Sequence, residues 1–198
     1  MAPRSAVSIE QRLLDAGLEA ATIHGIAKLS MGDVARRAGL SRQTLYRYFP
    51  SKDALVAAIV GAETTSLIEQ VLGAAVDIED PRASLAAALE TALRLLRDHP
   101  LLDRLLRTEP EALLPVLTTE GSPAMSQVRS VVEVIVAERT PSTIGQDPVA
   151  RRRFADVLTR LLISYAISAP DDPPEVVAHH LSVFLIPDLT TEAPRGAR

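Results

Sequence analysis

The sequence predicts an all-α protein, with a three-helix unit at the N-terminus followed by a larger helical body. Three observations lead there. Leu and Ala, both strong helix formers, recur three and four residues apart through most of the 198 residues, with charged residues between them. No stretch gives a convincing strand pattern. Ser, Gly and Pro interrupt the apolar periodicity where helices would start and stop.

Ile9, Leu13, Leu14, Leu18 and Ala21 set a first helix over about 8–23, with Ser8 as N-cap and His24-Gly25 at its end. Ser30-Met31-Gly32-Asp33 has the form of a capping box with Asp in place of Glu, and opens a short helix over about 31–38. Val34, Ala35 and Ala38 face inward there, and Arg36 and Arg37 face outward. Gly39 suits a left-handed C-cap, Ser41 caps a third helix over about 41–48, and Pro50 ends it. Ser51 caps a longer helix that runs from Lys52 to about 72.

Leu85, Leu89, Leu93 and Leu96 form one stripe of a helix over about 82–98. Pro100 opens another to about 108, and Pro110 and Pro115 bracket a short helical piece. Pro123 begins a helix to about 138, and 140–148 reads as a loop. The last two helices, about 148–168 and 174–186, are apolar around much of their circumference. Such helices must bury more than one face. Residues 191–198 read as a disordered tail.

Composition narrows the chemistry. The chain has no cysteine, which excludes disulfides, thiolate metal sites and cysteine nucleophiles. His24, His99, His179 and His180 lack metal-ligand spacing with carboxylates, and no phosphate loop or nucleophile motif is present. Solvated or packed imidazoles are the better reading. No enzyme activity, cofactor or metal is expected. No uninterrupted apolar run approaches a membrane span and no signal peptide is apparent, so a soluble cytoplasmic protein without a membrane partner is expected.

Charge and aromatic rings point to one segment. Residues 1–52 carry eight basic and four acidic residues, whereas the rest carries 13 basic and 21 acidic. A basic head on an acidic body suits a polyanion at the head alone. Three of the six aromatic residues, Tyr46, Tyr48 and Phe49, fall in SRQTLYRYFPSK, 41–52. Two short helices joined by a tight Gly-containing turn form a helix-turn-helix, with Leu45 packing the third helix inward. Ser41, Arg42, Gln43 and Thr44 then stand at the start of a recognition helix, where they can reach base edges in the major groove. Tyr46, Arg47 and Tyr48 suit phosphates, and Lys52 suits one at the start of the next helix. Ser30 and Met31 complete the expected DNA-binding set. Leu45 and Phe49 are expected in the core.

The segment MGDVARRAGLSRQTLYRYFPSKDALVAAIV, 31–60, resembles the DNA-binding domain of the TetR/AcrR family of bacterial transcriptional regulators. The resemblance implies a ligand-responsive regulator, most simply a repressor: a homodimer that binds palindromic double-stranded DNA and leaves it when a small molecule occupies the second domain. By that pattern Thr44, Tyr46, Tyr48 and Lys52 match recurring DNA-contacting positions, and Arg42 and Gln43 match variable ones that adjust specificity. Gly32 stands where some members carry a longer, base-reading side chain.

The division expected is a helix-turn-helix domain over 1–52, a ligand-binding and dimerisation domain over 53–190, and the tail 191–198. The resemblance places a four-helix dimer interface on the last two helices, for which Leu161, Leu162, Tyr165, Val177, Leu181 and Phe184 are the candidates. Leu89, Leu93, Leu96, Leu105, Met125, Val128 and Leu158 are the candidate pocket lining. Between 54 and 153 there is no aromatic ring, so an aliphatic or acyl effector is expected, with Arg94, Arg97, Arg104 and Arg107 as candidates for its headgroup. The alternatives are a closed leucine core and a DNA-architectural or protein-binding helical module that takes no effector.

Overall fold

A computed structural model describes residues 8–111, 123–139 and 146–186. The described residues form helices and connections, with no strand. In chain order the helices are α1 (Ile9–His24), α2 (Met31–Arg37), α3 (Arg42–Tyr48), α4 (Lys52–Ala75), α5 (Pro81–Arg97), α6 (Pro100–Thr108), α7 (Pro123–Arg139), α8 (Pro148–Ile167) and α9 (Pro174–Leu185). The expected piece between Pro110 and Pro115, most of the 140–148 loop and the tail lie outside the described residues.

Most helix starts follow local chemistry. The hydroxyls of Ser8, Ser41 and Ser51 accept the backbone N–H groups of Gln11, Thr44 and Ala54 at 3.0–3.1 Å. Gly25 and Gly39 have φ of 85° and 65°, a region that glycine enters without a Cβ penalty. The Ser30 capping box is not made. Ser30 gives α2 no side-chain cap, and the Asp33 carboxylate turns instead to Arg36 and Arg37. Two guanidinium groups offer charge-assisted bonds that one backbone N–H does not match.

His99 caps α6 in an unexpected way. Its Nδ1 accepts the Leu102 N–H at 3.3 Å, and its Nε2 lies 3.1 Å from the Glu63 carboxylate. With Nδ1 accepting, the proton belongs on Nε2, pointing at Glu63.

The chain divides into two compact units. Among the described residues one comprises 8–66, 98–111 and 123–130; the other comprises 67–97, 131–139 and 146–186. This partition does not follow the charge break at 52. Leu55 and Ile59 of α4 and Leu101 and Leu105 of α6 fill the same core as Leu13, Val34, Leu45 and Phe49. Gly17 lets α4 come close, since a Cβ there would lie 2.7 Å from Ile59 Cδ1. In the other unit α5 packs against α9 and α8, and Leu89, Leu93, Leu158, Val177 and Ala178 are its buried centre. Among the described residues α4 is the one helix long and apolar enough to cross a membrane. Any 18-residue window of it includes Glu63 and Glu69.

Candidate nucleic-acid interface

Helix α3 presents a polar face because its apolar residues are held inside. Leu45 is fully buried and Phe49 is 5% exposed, as expected of core anchors. Around these anchors Ser41, Arg42, Gln43, Tyr46, Arg47 and Tyr48 are exposed and Thr44 is half-buried. At the start of α2, Ser30 is exposed, whereas Met31 is half-buried and packs on the core.

The side chains on this face are ordered by one another. Ser41 Oγ lies 2.9 Å from Thr44 Oγ1 as well as accepting the Thr44 N–H, so both hydroxyls are committed to the first turn of α3. The Arg47 guanidinium sits 5.6 Å from the centre of the Tyr48 ring, a cation–π distance. The Arg42 guanidinium lies across Gly32, where an added Cβ would stand 2.7 Å from its Cζ and Nε.

Charge on the face is unevenly committed. Arg37 donates to Asp33 Oδ2 at 2.7 Å and to Glu19 Oε1 at 2.8 Å, and Arg36 also pairs with Asp33. The Arg37 hydrogen bond, more than any other influence, holds the Asp33 carboxyl below its ordinary range, and the same bond raises Arg37. Arg12 donates to the Ala38 carbonyl at 2.6 Å. Among the described residues Arg42 and Arg47 have no carboxylate partner. Lys52 is half-buried and donates to the Ala27 carbonyl at 2.7 Å, which leaves further N–H bonds on its ammonium.

Glu109 was not singled out in the sequence. It is 8% exposed, accepts the Ala27 N–H at 2.8 Å and presses on Gly25, where a Cβ would fall 2.7 Å from its Cδ. Nothing local in the sequence marks a contact across 82 residues.

In the second unit the end of α4 with α5, α7 and α8 surrounds a cavity of about 110 Å³. Of the seven candidate lining residues, Leu89 and Leu158 border it, joined by Val71, Leu72, Val132 and Phe154. Leu105 does not, because it belongs to the core of the first unit. Leu93 is buried beside Val177, Leu96 is half-buried away from the cavity, and Met125 and Val128 fall in the first unit. No charged side chain lines the cavity. Its one hydroxyl, Ser84, donates to the Ala75 carbonyl at 3.3 Å. Arg94 pairs with Glu90, Arg107 pairs with Asp103, and Arg97 donates to the carbonyls of Pro170 and Asp172. Arg104 has a buried Nε without a partner.

Four of the candidate dimer residues, Leu162, Tyr165, Val177 and Leu181, pack within their own unit. Leu161 is half-buried and Phe184 is 80% exposed. Val157 and Val183 are exposed as well. Among the described residues no three His, Asp or Glu side chains gather as a metal site would need.

Residues 13–59 match the family model of bacterial regulatory proteins of the tetR family. Residues 80–187 match that of the bacterial tetracyclin repressor, C-terminal domain. An uncharacterized HTH-type transcriptional regulator of Mycobacterium tuberculosis is 32% identical over 190 residues, covering 94% of this chain and 88% of that protein. Among solved structures, the TetR family repressor AlkX from Dietzia sp., implicated in biodegradation of n-alkanes, superposes with a TM-score of 0.70 at 23% identity. The match covers 93% of this chain and 97% of that one. The fatty acid degradation regulator FadR from Bacillus halodurans gives 0.60 at 15% identity, covering 94% and 99%. Both family models cover the two functional parts of the chain and the mycobacterial relative spans nearly all of it, so the protein belongs to the TetR family of bacterial DNA-binding transcriptional regulators.

Proposed function

We propose that the protein is a cytoplasmic homodimeric repressor that reads a palindromic operator with α3 and releases it when an aliphatic molecule enters the cavity of the second unit. The observation that carries the effector reading is the lining itself. It is hydrocarbon apart from one hydroxyl that already has an acceptor. A charged group buried there would be unpaired, at a cost of several kcal/mol or more, so the part of the effector that enters is a hydrocarbon chain. An acyl compound fits when its headgroup stays outside the cavity. The names of AlkX and FadR, with their n-alkanes and fatty acid degradation, support the same class.

On the DNA side, Arg42, Gln43 and Thr44 read bases, and Tyr46, Arg47, Tyr48 and Lys52 hold phosphates, with Ser30, Met31 and Ser41 at the edges. Exposed Phe184 and Val183 on α9 and Val157 on α8 support a pairing of those helices between two copies. The test uses a duplex selected from random DNA and labelled for anisotropy. Decanoic acid is expected to release it and tetraphenylphosphonium, an aromatic cation too bulky to intercalate into the duplex, is not. Release by tetraphenylphosphonium alone would overturn the effector class.

A further inference from the structure

We propose that Gly32 is a specificity-positioning residue: by lacking a side chain it provides the shelf that aims Arg42 at one base pair of each half-site. This rests on α3 being the reading helix.

Arg42 is the first residue of α3, where a side chain leans toward the helix N-terminus rather than along the outward face. That direction carries it back over α2, and its Nε, Cζ and Nη2 are the atoms a Cβ on Gly32 would meet first. Three atoms of one planar group crowd the same point, so the guanidinium occupies the space that a side chain on Gly32 would fill. Any residue other than glycine would lift it off.

The contact is one of shape rather than charge. The neighbouring arginines are already engaged: Arg36 and Arg37 by carboxylates and Arg12 by a carbonyl. Arg42 has no hydrogen-bond or ion-pair partner among the described residues, so its fork keeps its N–H donors for the edge of a base. A guanidinium that can rest close against α2 before binding has less freedom to lose when it engages guanine bidentately. Gly32 thereby does through Arg42 what a long side chain at position 32 would do directly.

Gly32→Ala separates this role from folding. The φ of Gly32 is not in the left-handed region, and alanine is the better helix former. The nearest atoms in its way belong to the far end of a flexible side chain. The experiment is selection from a random double-stranded DNA pool by the wild type, G32A, R42A, the double variant and Q43A, with thermal unfolding of each. We expect G32A to be at least as stable as the wild type, yet to lose discrimination at the same base pair as R42A, by roughly tenfold. The double variant should select as R42A does. Loss at a different position, independent effects of the two substitutions, or an unchanged G32A preference would each overturn the inference. If R42A and Q43A both select the wild-type sequence, α3 is not the reader and the underlying assignment fails with it.

Discussion

The carboxylate of Glu109, one residue beyond α6, accepts the backbone N–H of Ala27 in the loop between α1 and α2 at 2.8 Å. The carbonyl of the same residue receives Lys52 at 2.7 Å. One residue of the loop is thus held at its donor by α6 and at its acceptor by α4.

Removing the acceptor should cost more than losing one contact, because a part-buried N–H is left without a partner. Glu109→Ala is expected to lower stability by about 1–3 kcal/mol, and Glu109→Gln, which keeps an oxygen, by less. Urea unfolding midpoints measure both. An E109A midpoint equal to wild type would mean that the bond contributes nothing.

Acid should unlock α2 through Asp33. Its folded pKa lies below the ordinary carboxylate value of 3.8, so the unfolded chain takes up this proton first. The stabilisation is fully present above that ordinary value and is lost as pH falls through the folded one. Asp33→Asn should therefore be less stable than wild type at neutral pH, and the two unfolding curves should converge in strong acid. High salt should shrink the gap, since the pair is open to solvent. A gap that persists undiminished at low pH would show that the ion pair is not its cause.

On α3, two kinds of substitution should lose DNA for different reasons. Arg42→Ala and Tyr46→Phe remove exposed groups, so binding should weaken with unfolding unchanged. Leu45→Ala empties a fully buried position and should cost about 2–5 kcal/mol. Mobility shift and thermal melting on the same samples distinguish them. Unchanged affinity in both surface variants would refute the reading face.

The cavity makes a separable prediction. Ala88 lines it, and Ala88→Phe would occupy the space a ligand needs. Saturating decanoic acid at 100 times its Kd should stabilise the wild type by about 2.7 kcal/mol and the variant by almost nothing. Operator binding should survive in the variant and no longer respond to the compound. A variant that still responds would place the effector elsewhere.

Phe184 is 80% exposed, an unusual exposure for a residue of that size. Phe184→Glu should shift the mass in solution from two chains toward one, read by light scattering during gel filtration. Weakened operator binding should accompany it, because two half-sites need two heads. A wild type that is a monomer at micromolar concentration would contradict the homodimer.

What could be read from sequence was mostly local. Ser8, Gly25, Gly39, Ser41 and Ser51 act within four residues of themselves, and each does what its chemistry suggests. Leu45 and Phe49 were legible as core from their spacing. Ser30 misleads because a capping box is a competition, and Asp33 has stronger offers three and four residues away. The pocket was harder. Leu89 and Leu105 both sit on leucine stripes, but one borders the cavity and the other fills the first core. Periodicity shows that a face is buried without showing against what. Val71 and Leu72 lie on α4, whose apolar residues surround much of the helix, so no stripe singled them out. Gly32 with Arg42 and Glu109 with Ala27 are tertiary meetings that no spacing encodes.

Helix α6 closes a mechanical circuit. Its first end meets α4 where His99 faces Glu63, its last end meets the α1–α2 loop at Ala27, and that loop meets the first turn of α4 at Lys52. The last two contacts meet on one residue, Ala27, so the circuit has two long sides: the nine-residue α6 and the stretch of α4 between Lys52 and Glu63. Any displacement of α6 relative to α4 therefore loads these three hydrogen bonds first.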